Sequence, residues 1–151
     1  MSQKLHYMED FYAGQKFSSG SVKVTAEDIV AYARQFDPQD FHLDDAKAKE
    51  TVFGGLVASG WHTASLTMRL MLQASPPIKG GMIGRHIEKI NWPRPVKPGD
   101  TLSLESEILE IRPSSTPGRG VARVKHTTFN QNREPVLEMV TVILLPSKTA
   151  A

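Results

Sequence analysis

The chain has 151 residues, the size of one domain with room for a sizeable core, so residues 1–151 are expected to form a single unit. Hydrophobic residues at 40%, charged residues at 23%, 11 Gly and 10 Pro exclude a collagen-like, disordered or low-complexity chain. The absence of cysteine excludes a disulfide framework, a thiolate nucleophile and a Cys-ligated metal centre.

Eighteen Lys plus Arg against sixteen Asp plus Glu leave a net charge of +2 with no concentrated basic stripe, which speaks against a nucleic-acid partner. The opening MSQKLHYMED lacks the apolar run of a signal peptide. No stretch reaches the roughly 18 apolar residues of a membrane span. The longest candidate, Leu56 to Leu72, is interrupted by Ser59, Gly60, His62, Thr63, Ser65, Thr67 and Arg69. The expectation is a cytoplasmic protein with no membrane partner.

Residues 15–24 read as a first strand entered through Gly14. Thr25, with Asp28 three residues later, is a helix start, and Ile29, Tyr32, Ala33 and Phe36 recur at helical spacing. Pro38 disfavours helical geometry at Asp37 and ends that helix, handing over to an irregular segment, DPQDFHLD. A short helical stretch, Asp44 to Glu50, precedes Gly54-Gly55. Leu56 to Gln73 then carries apolar residues on nearly every face with a single charge, Arg69, the pattern of a buried helix. The remainder is β-like: 82–92, 100–112, 120–130 and 135–145, with turns at Pro98-Gly99-Asp100 and Asn132-Arg133-Glu134. This order predicts an α+β domain whose antiparallel sheet covers the apolar helix, the hot-dog arrangement: a curved antiparallel sheet wrapped around a buried central helix. Such a sheet often continues across a dimer, because an uncovered edge is a liability.

Asp37 and His42 stand five residues apart in one irregular loop, where a carboxylate and an imidazole can converge on a single water or substrate carbon. Acid–base chemistry needs such a pair, a carboxylate to take a proton and a histidine that titrates near neutral pH. The same residues would also suit a solvated turn or a helix cap.

The segment from Tyr32 to Asp44 resembles the signature of the MaoC-like dehydratases, the (R)-specific enoyl-CoA hydratase family, in which an aromatic residue on the first helix precedes Gly-Asp-x-Asn-Pro-aliphatic-His. Asp37 and His42 fall on the family's catalytic Asp and His with their interval preserved. The resemblance runs over roughly residues 8 to 145, through Glu9-Asp10, Gly14, Gly54-Gly55, Ser59-Gly60 and the run Pro93-x-Pro95-Val96-x-Pro98-Gly99-Asp100. The chain departs from the pattern at Phe36 for Gly, Gln39 for Asn, Asp40 for Pro, and Ser59 where the family often has His.

The resemblance implies a homodimer or higher homo-oligomer that adds water reversibly to a trans-2-enoyl-CoA, with Asp37 and His42 holding the water and no metal or redox cofactor. Gly60 is the candidate oxyanion donor, since amides at a helix start are unpaired and the dipole there favours negative charge. Its alternative is packing, a glycine that lets another segment approach closely. Arg85, Lys89, Arg94 and Lys97 are candidate contacts for the coenzyme A phosphates, or a solvated strand face. Asp40, His42, Asp44 and Asp45 form an Asp-x-His-x-Asp cluster that a metal could use, although it lacks the spacing of a calcium loop. His62 reads as a satisfied core or interface histidine; His6, His86 and His126 offer no constellation. Trp61, Trp92 and the pair Met68/Met71 read as core or dimer contacts. Two other functions fit the same fold: a thioesterase, and a non-catalytic acyl-CoA-binding module.

Overall fold

The computed structural model describes residues 3–149; the outermost residues of the expected 1–151 unit, 1–2 and 150–151, lie outside the described residues. After a single 3-10 turn at Met8–Asp10, the chain forms β1 (Lys16–Lys23), α1 (Ala26–Phe36), α2 (Asp40–Leu43), α3 (Asp45–Ala48) and α4 (Gly60–Ala74). It then runs through β2 (Ile83–Asn91), β3 (Thr101–Pro113), β4 (Arg119–Phe129) and β5 (Pro135–Pro146). The five strands make one sheet in the order β1-β3-β4-β5-β2, antiparallel at every pairing. With α4 packed against the core-facing side, this is the hot-dog fold.

Local chemistry sets the boundaries. Thr25 caps α1 by accepting a bond from the Asp28 N–H, as its spacing predicts. The Pro98-Gly99-Asp100 turn needs glycine at φ +91°, and Asp100 Oδ2 accepts from the Lys97 N–H to close it. Two expectations are corrected. The DPQDFHLD segment is not wholly irregular, because Asp40–Leu43 winds one helical turn. The central helix begins at Gly60 rather than Leu56. Leu56, Val57 and Ala58 are not helical because their N–H groups bond elsewhere: to Asp45 Oδ1, the Phe41 carbonyl and the Val96 carbonyl.

Helix α4 is not buried all round. Leu66, Leu70 and Met71 enter a core with Val24, Leu102, Leu104 and Val136. Burying each such side chain stabilises the fold by about 1.5–3 kcal/mol. A polar tie fixes the helix to β4: Thr67 Oγ1 donates to the Thr63 carbonyl, so the Thr128 hydroxyl 2.6 Å away donates to Thr67. The opposite face leaves Trp61, Met68 and Leu72 exposed beside β2, a strand exposed along nearly its whole length. One five-stranded sheet covers only one side of a helix, so the unbroken apolar pattern of this segment outruns what its own sheet can bury.

Candidate active site

The chain turns sharply where α1 ends. Asp37 follows the last residue of that helix, with φ −152° and ψ 66°, the non-helical geometry that Pro38 imposes on its predecessor. Its N–H still bonds back to the Ala33 carbonyl, which fixes the backbone while the carboxylate points away. The one-turn α2 then brings His42 round to meet it, Nε2 lying 3.2 Å from Asp37 Oδ2. His42 is only 6% exposed, and its Nδ1 lies 2.6 Å from the Val57 carbonyl. A carbonyl only accepts, so Nδ1 carries the hydrogen and Nε2 is the ring atom left to exchange protons.

Three neighbours hold the Asp37 carboxylate. Gln39 Nε2 donates to Oδ1 at 2.6 Å, Ser59 Oγ donates to Oδ2 at 2.7 Å, and the His42 ring faces Oδ2. Partial burial pushes the carboxyl pKa up, but the bonds from Gln39 and Ser59 and the attraction of His42 outweigh it and hold the value below the ordinary one. Asp37 is therefore a carboxylate at neutral pH. Ser59 also caps α4 by accepting from the Trp61 N–H, so one hydroxyl ties the Asp37 loop to the helix start.

The pair opens onto a cavity of about 350 Å³ whose walls include Phe41, Phe53, Val96, Gly60, Trp61 and Trp92. Phe41 stacks on both His42 and Phe53, which supports the imidazole from behind. Gly60 reaches this cavity as the first residue of α4, where an N–H has no acceptor within the helix. The packing alternative has direct support: a Cβ there would lie 2.7 Å from Trp92 Cε2, and Trp92 Nε1 donates to the Gly60 carbonyl at 2.8 Å. Gly60→Ala is expected to cost about 1–3 kcal/mol of stability through this overlap. Denaturant melts should show the cost largely relieved in a Trp92→Ala background; an equal cost in both backgrounds would refute the packing role.

Of the four basic candidates, Arg94 alone lines this cavity, and it pairs with Glu134 at 3.1 Å. Arg85 lines a separate groove of about 450 Å³ between α4 and β2. Lys89 is exposed on β2, and the Lys97 N–H closes the Pro-Gly-Asp turn. The acidic cluster is divided among separate partners: Asp44 caps α3, Asp45 accepts from the Leu56 N–H and Asp40 pairs with Lys47 at 3.8 Å. Among the described residues, no three His, Cys, Asp or Glu side chains are grouped so as to hold a metal ion.

The other side chains meet their expectations unevenly. Trp61 and Trp92 meet edge to face at the cavity wall and are 55% and 39% exposed, which leaves the dimer half of their expected core-or-dimer role. Met71 is buried and Met68 is not. His62 is buried and stacked on Tyr32, yet its Nδ1 has no partner among the described residues, so it is not a satisfied histidine. Burial lowers its pKa and Arg69 adds to that, against an opposing pull from Asp28. His126 does belong to a constellation, bonded to Ser106 and Thr141. Sequence reasoning missed Gln39 and Ser59 as partners of the carboxylate; the available signal was Ser59, a preferred capping residue, directly before Gly60.

The MaoC-like domain family matches residues 10–130. The chain belongs to that family. It is 31% identical over 131 residues to the uncharacterized protein YdeM of Bacillus subtilis, covering 87% of this chain and 92% of that protein. The MaoC-like dehydratase of Rhodospirillum rubrum superposes with a TM-score of 0.89 at 40% identity, over 95% of this chain and 98% of that one. The (R)-hydratase from A. caviae involved in PHA biosynthesis gives a TM-score of 0.76 at 27% identity, over 91% and 99%. No helix among the described residues is long and apolar enough to cross a membrane.

Proposed function

We propose that this chain is a hydratase that adds water reversibly to a trans-2-enoyl-CoA to give a 3-hydroxyacyl-CoA. The observation that carries the reading is the Asp37–His42 pair, with Nδ1 tied to Val57 and Nε2 and a carboxylate oxygen turned together at a cavity. Membership of the MaoC-like family and the likeness to an (R)-hydratase support it.

In the forward direction the Asp37 carboxylate accepts a proton from a water whose oxygen bonds to the β-carbon. The double-bond electrons move to the α-carbon and the thioester oxygen, forming an enolate, and the Gly60 N–H donates to that oxygen. The cycle starts with His42 as the imidazolium opposite the Asp37 carboxylate, and its second proton, on Nε2, is delivered to the α-carbon. Transfer from Asp37 to Nε2 across 3.2 Å then restores the starting state, so atoms and protons balance over one turnover. No metal or redox cofactor is needed for these steps. Arg94, at the cavity wall, is the basic residue placed to meet the coenzyme A moiety.

The working unit in this reading is a homodimer. Supporting it are the exposed edge strand β2 with Ile83 and Ile87, and the exposed Trp61, Met68 and Leu72 on the adjacent face of α4. A second copy would pair that edge and roof the groove, which would then hold the acyl chain. A sedimentation mass of one chain would remove this part.

The deciding experiment follows the ultraviolet absorbance of conjugated enoyl thioesters across a panel of acyl-CoAs, with a thiol reagent in parallel. Loss of conjugation without thiol release is expected. Thiol release would make the chain a thioesterase, and ligand-induced thermal stabilisation with no turnover would make it a binding module.

A further inference from the structure

Three strands carry a polar line across the core-facing side of the sheet. Ser106 on β3 stands opposite His126 on β4, with Oγ 2.7 Å from Nδ1. Thr141 on β5 completes the line, its Oγ1 3.1 Å from His126 Nε2. His126 is 2% exposed, and apolar side chains such as Ile108, Val124 and Ile143 surround the line. Polar groups in such a setting cost stability unless every one is bonded, so a line buried at Ser106 and His126 and half-buried at Thr141 needs a reason.

Counting hydrogens supplies one. A neutral imidazole has one N–H and each hydroxyl one O–H, three hydrogens for two bonds. One hydroxyl hydrogen is always left over, at Thr141 when Nε2 is protonated and at Ser106 when Nδ1 is. The space at the two ends decides which is used. Ser106 and His126 face a cavity of about 40 Å³, room for a few waters at most. Thr141 faces the groove of about 450 Å³ between α4 and β2. Met71, Met82 and Ile143 wall both spaces. At ~1.5 Å per residue, Met71 lies about 16 Å along α4 from Gly60, so a group near this wall belongs to the tail of an acyl chain and not to its reacting carbons.

We propose that Thr141 is a specificity residue, donating a hydrogen bond to a neutral oxygen, hydroxyl, carbonyl or ether, in the tail of an acyl thioester, with His126 and Ser106 as positioning residues behind it. This rests on the reading that the groove holds the acyl group. Ser106 O–H donates to Nδ1 and Nε2–H donates to Thr141 Oγ1, which turns the Thr141 hydrogen outward. No Lys or Arg lines the smaller cavity behind the line, whereas Arg85 lines the groove that Thr141 faces and is the group that would favour a carboxylate over a neutral oxygen there.

The test compares enoyl-CoAs of equal length ending in an alkyl, an ω-hydroxyl or an ω-carboxyl group, and in parallel the dissociation constants of the matching saturated thioesters by calorimetry. The wild type is expected to favour the hydroxyl tail over the alkyl tail by roughly tenfold, the worth of one hydrogen bond. Thr141→Val, close in shape, should bring that ratio to about one, and Thr141→Ser should restore it. Ser106→Ala should reduce the ratio without abolishing alkyl turnover. A ratio that Thr141→Val leaves unchanged overturns the proposal, as does a preference for the carboxyl tail that survives that substitution, which would assign recognition to Arg85. If no thioester is hydrated, the hydratase reading fails and the calorimetric ratios still decide this one.

Discussion

Asp37→Asn is expected to lower kcat/KM for enoyl thioester hydration by about 10²–10⁴-fold, the usual worth of a positioned proton acceptor. Asn matches the carboxylate in size, so an amide oxygen can still accept from Ser59. The amide nitrogen would then meet Gln39 Nε2, donor against donor, in place of the present 2.6 Å bond. The fold should survive this, because the Asp37 N–H bond to Ala33 and the anchoring of His42 on Val57 use no atom of the Asp37 side chain. A purely structural carboxylate would give the opposite signature, a lower melting temperature with kcat nearly unchanged. Retention of a tenth or more of wild-type kcat/KM by a folded variant would refute the role given to Asp37.

The structure explains why the site could be found in one dimension while its support could not. Asp37 and His42 lie on one short loop, so their spacing already bounds their separation, and Pro38 announces where the helix must stop. Gln39 shares that loop, yet nothing in a sequence says that its amide turns back onto the carboxylate. Ser59 is 22 residues from Asp37 and meets it because Leu56–Ala58 stay out of the helix, bonded to Asp45, Phe41 and Val96. Those partners come from three separate segments, and the apolar run from Leu56 gives no hint of them. The strands were legible to within a residue or two because alternation and turn residues are local signals. The exposed face of α4 was not, since periodicity counts apolar side chains without saying which of them the chain's own sheet will cover. His126 was missed for a related reason: its partners, on β3 and β5, are 20 and 15 residues away.

His126 should also set the acid sensitivity of the fold. Burial lowers its pKa to about 4, with no charged group to offset it. In the unfolded chain the same imidazole titrates near 6.5. Below that value the unfolded state binds a proton that the native state refuses, so the contribution is complete above pH 6.5, declines as pH falls, and is fully lost below about pH 4. The full effect is about 3 kcal/mol, of which about 2 kcal/mol is gone by pH 5. His62, also lowered by burial, acts in the same direction. Carboxylates whose pKa values the fold depresses, Asp37 among them, begin to cost stability only near and below their ordinary values of about 4, so the interval from pH 7 to pH 5 reports mainly on the histidines. Urea melts across that interval should show wild-type stability falling by at least 2 kcal/mol and His126→Gln falling by distinctly less. Equal slopes for the two proteins would mean that His126 accepts its proton inside the fold, and that the polar line across β3, β4 and β5 is reached by water.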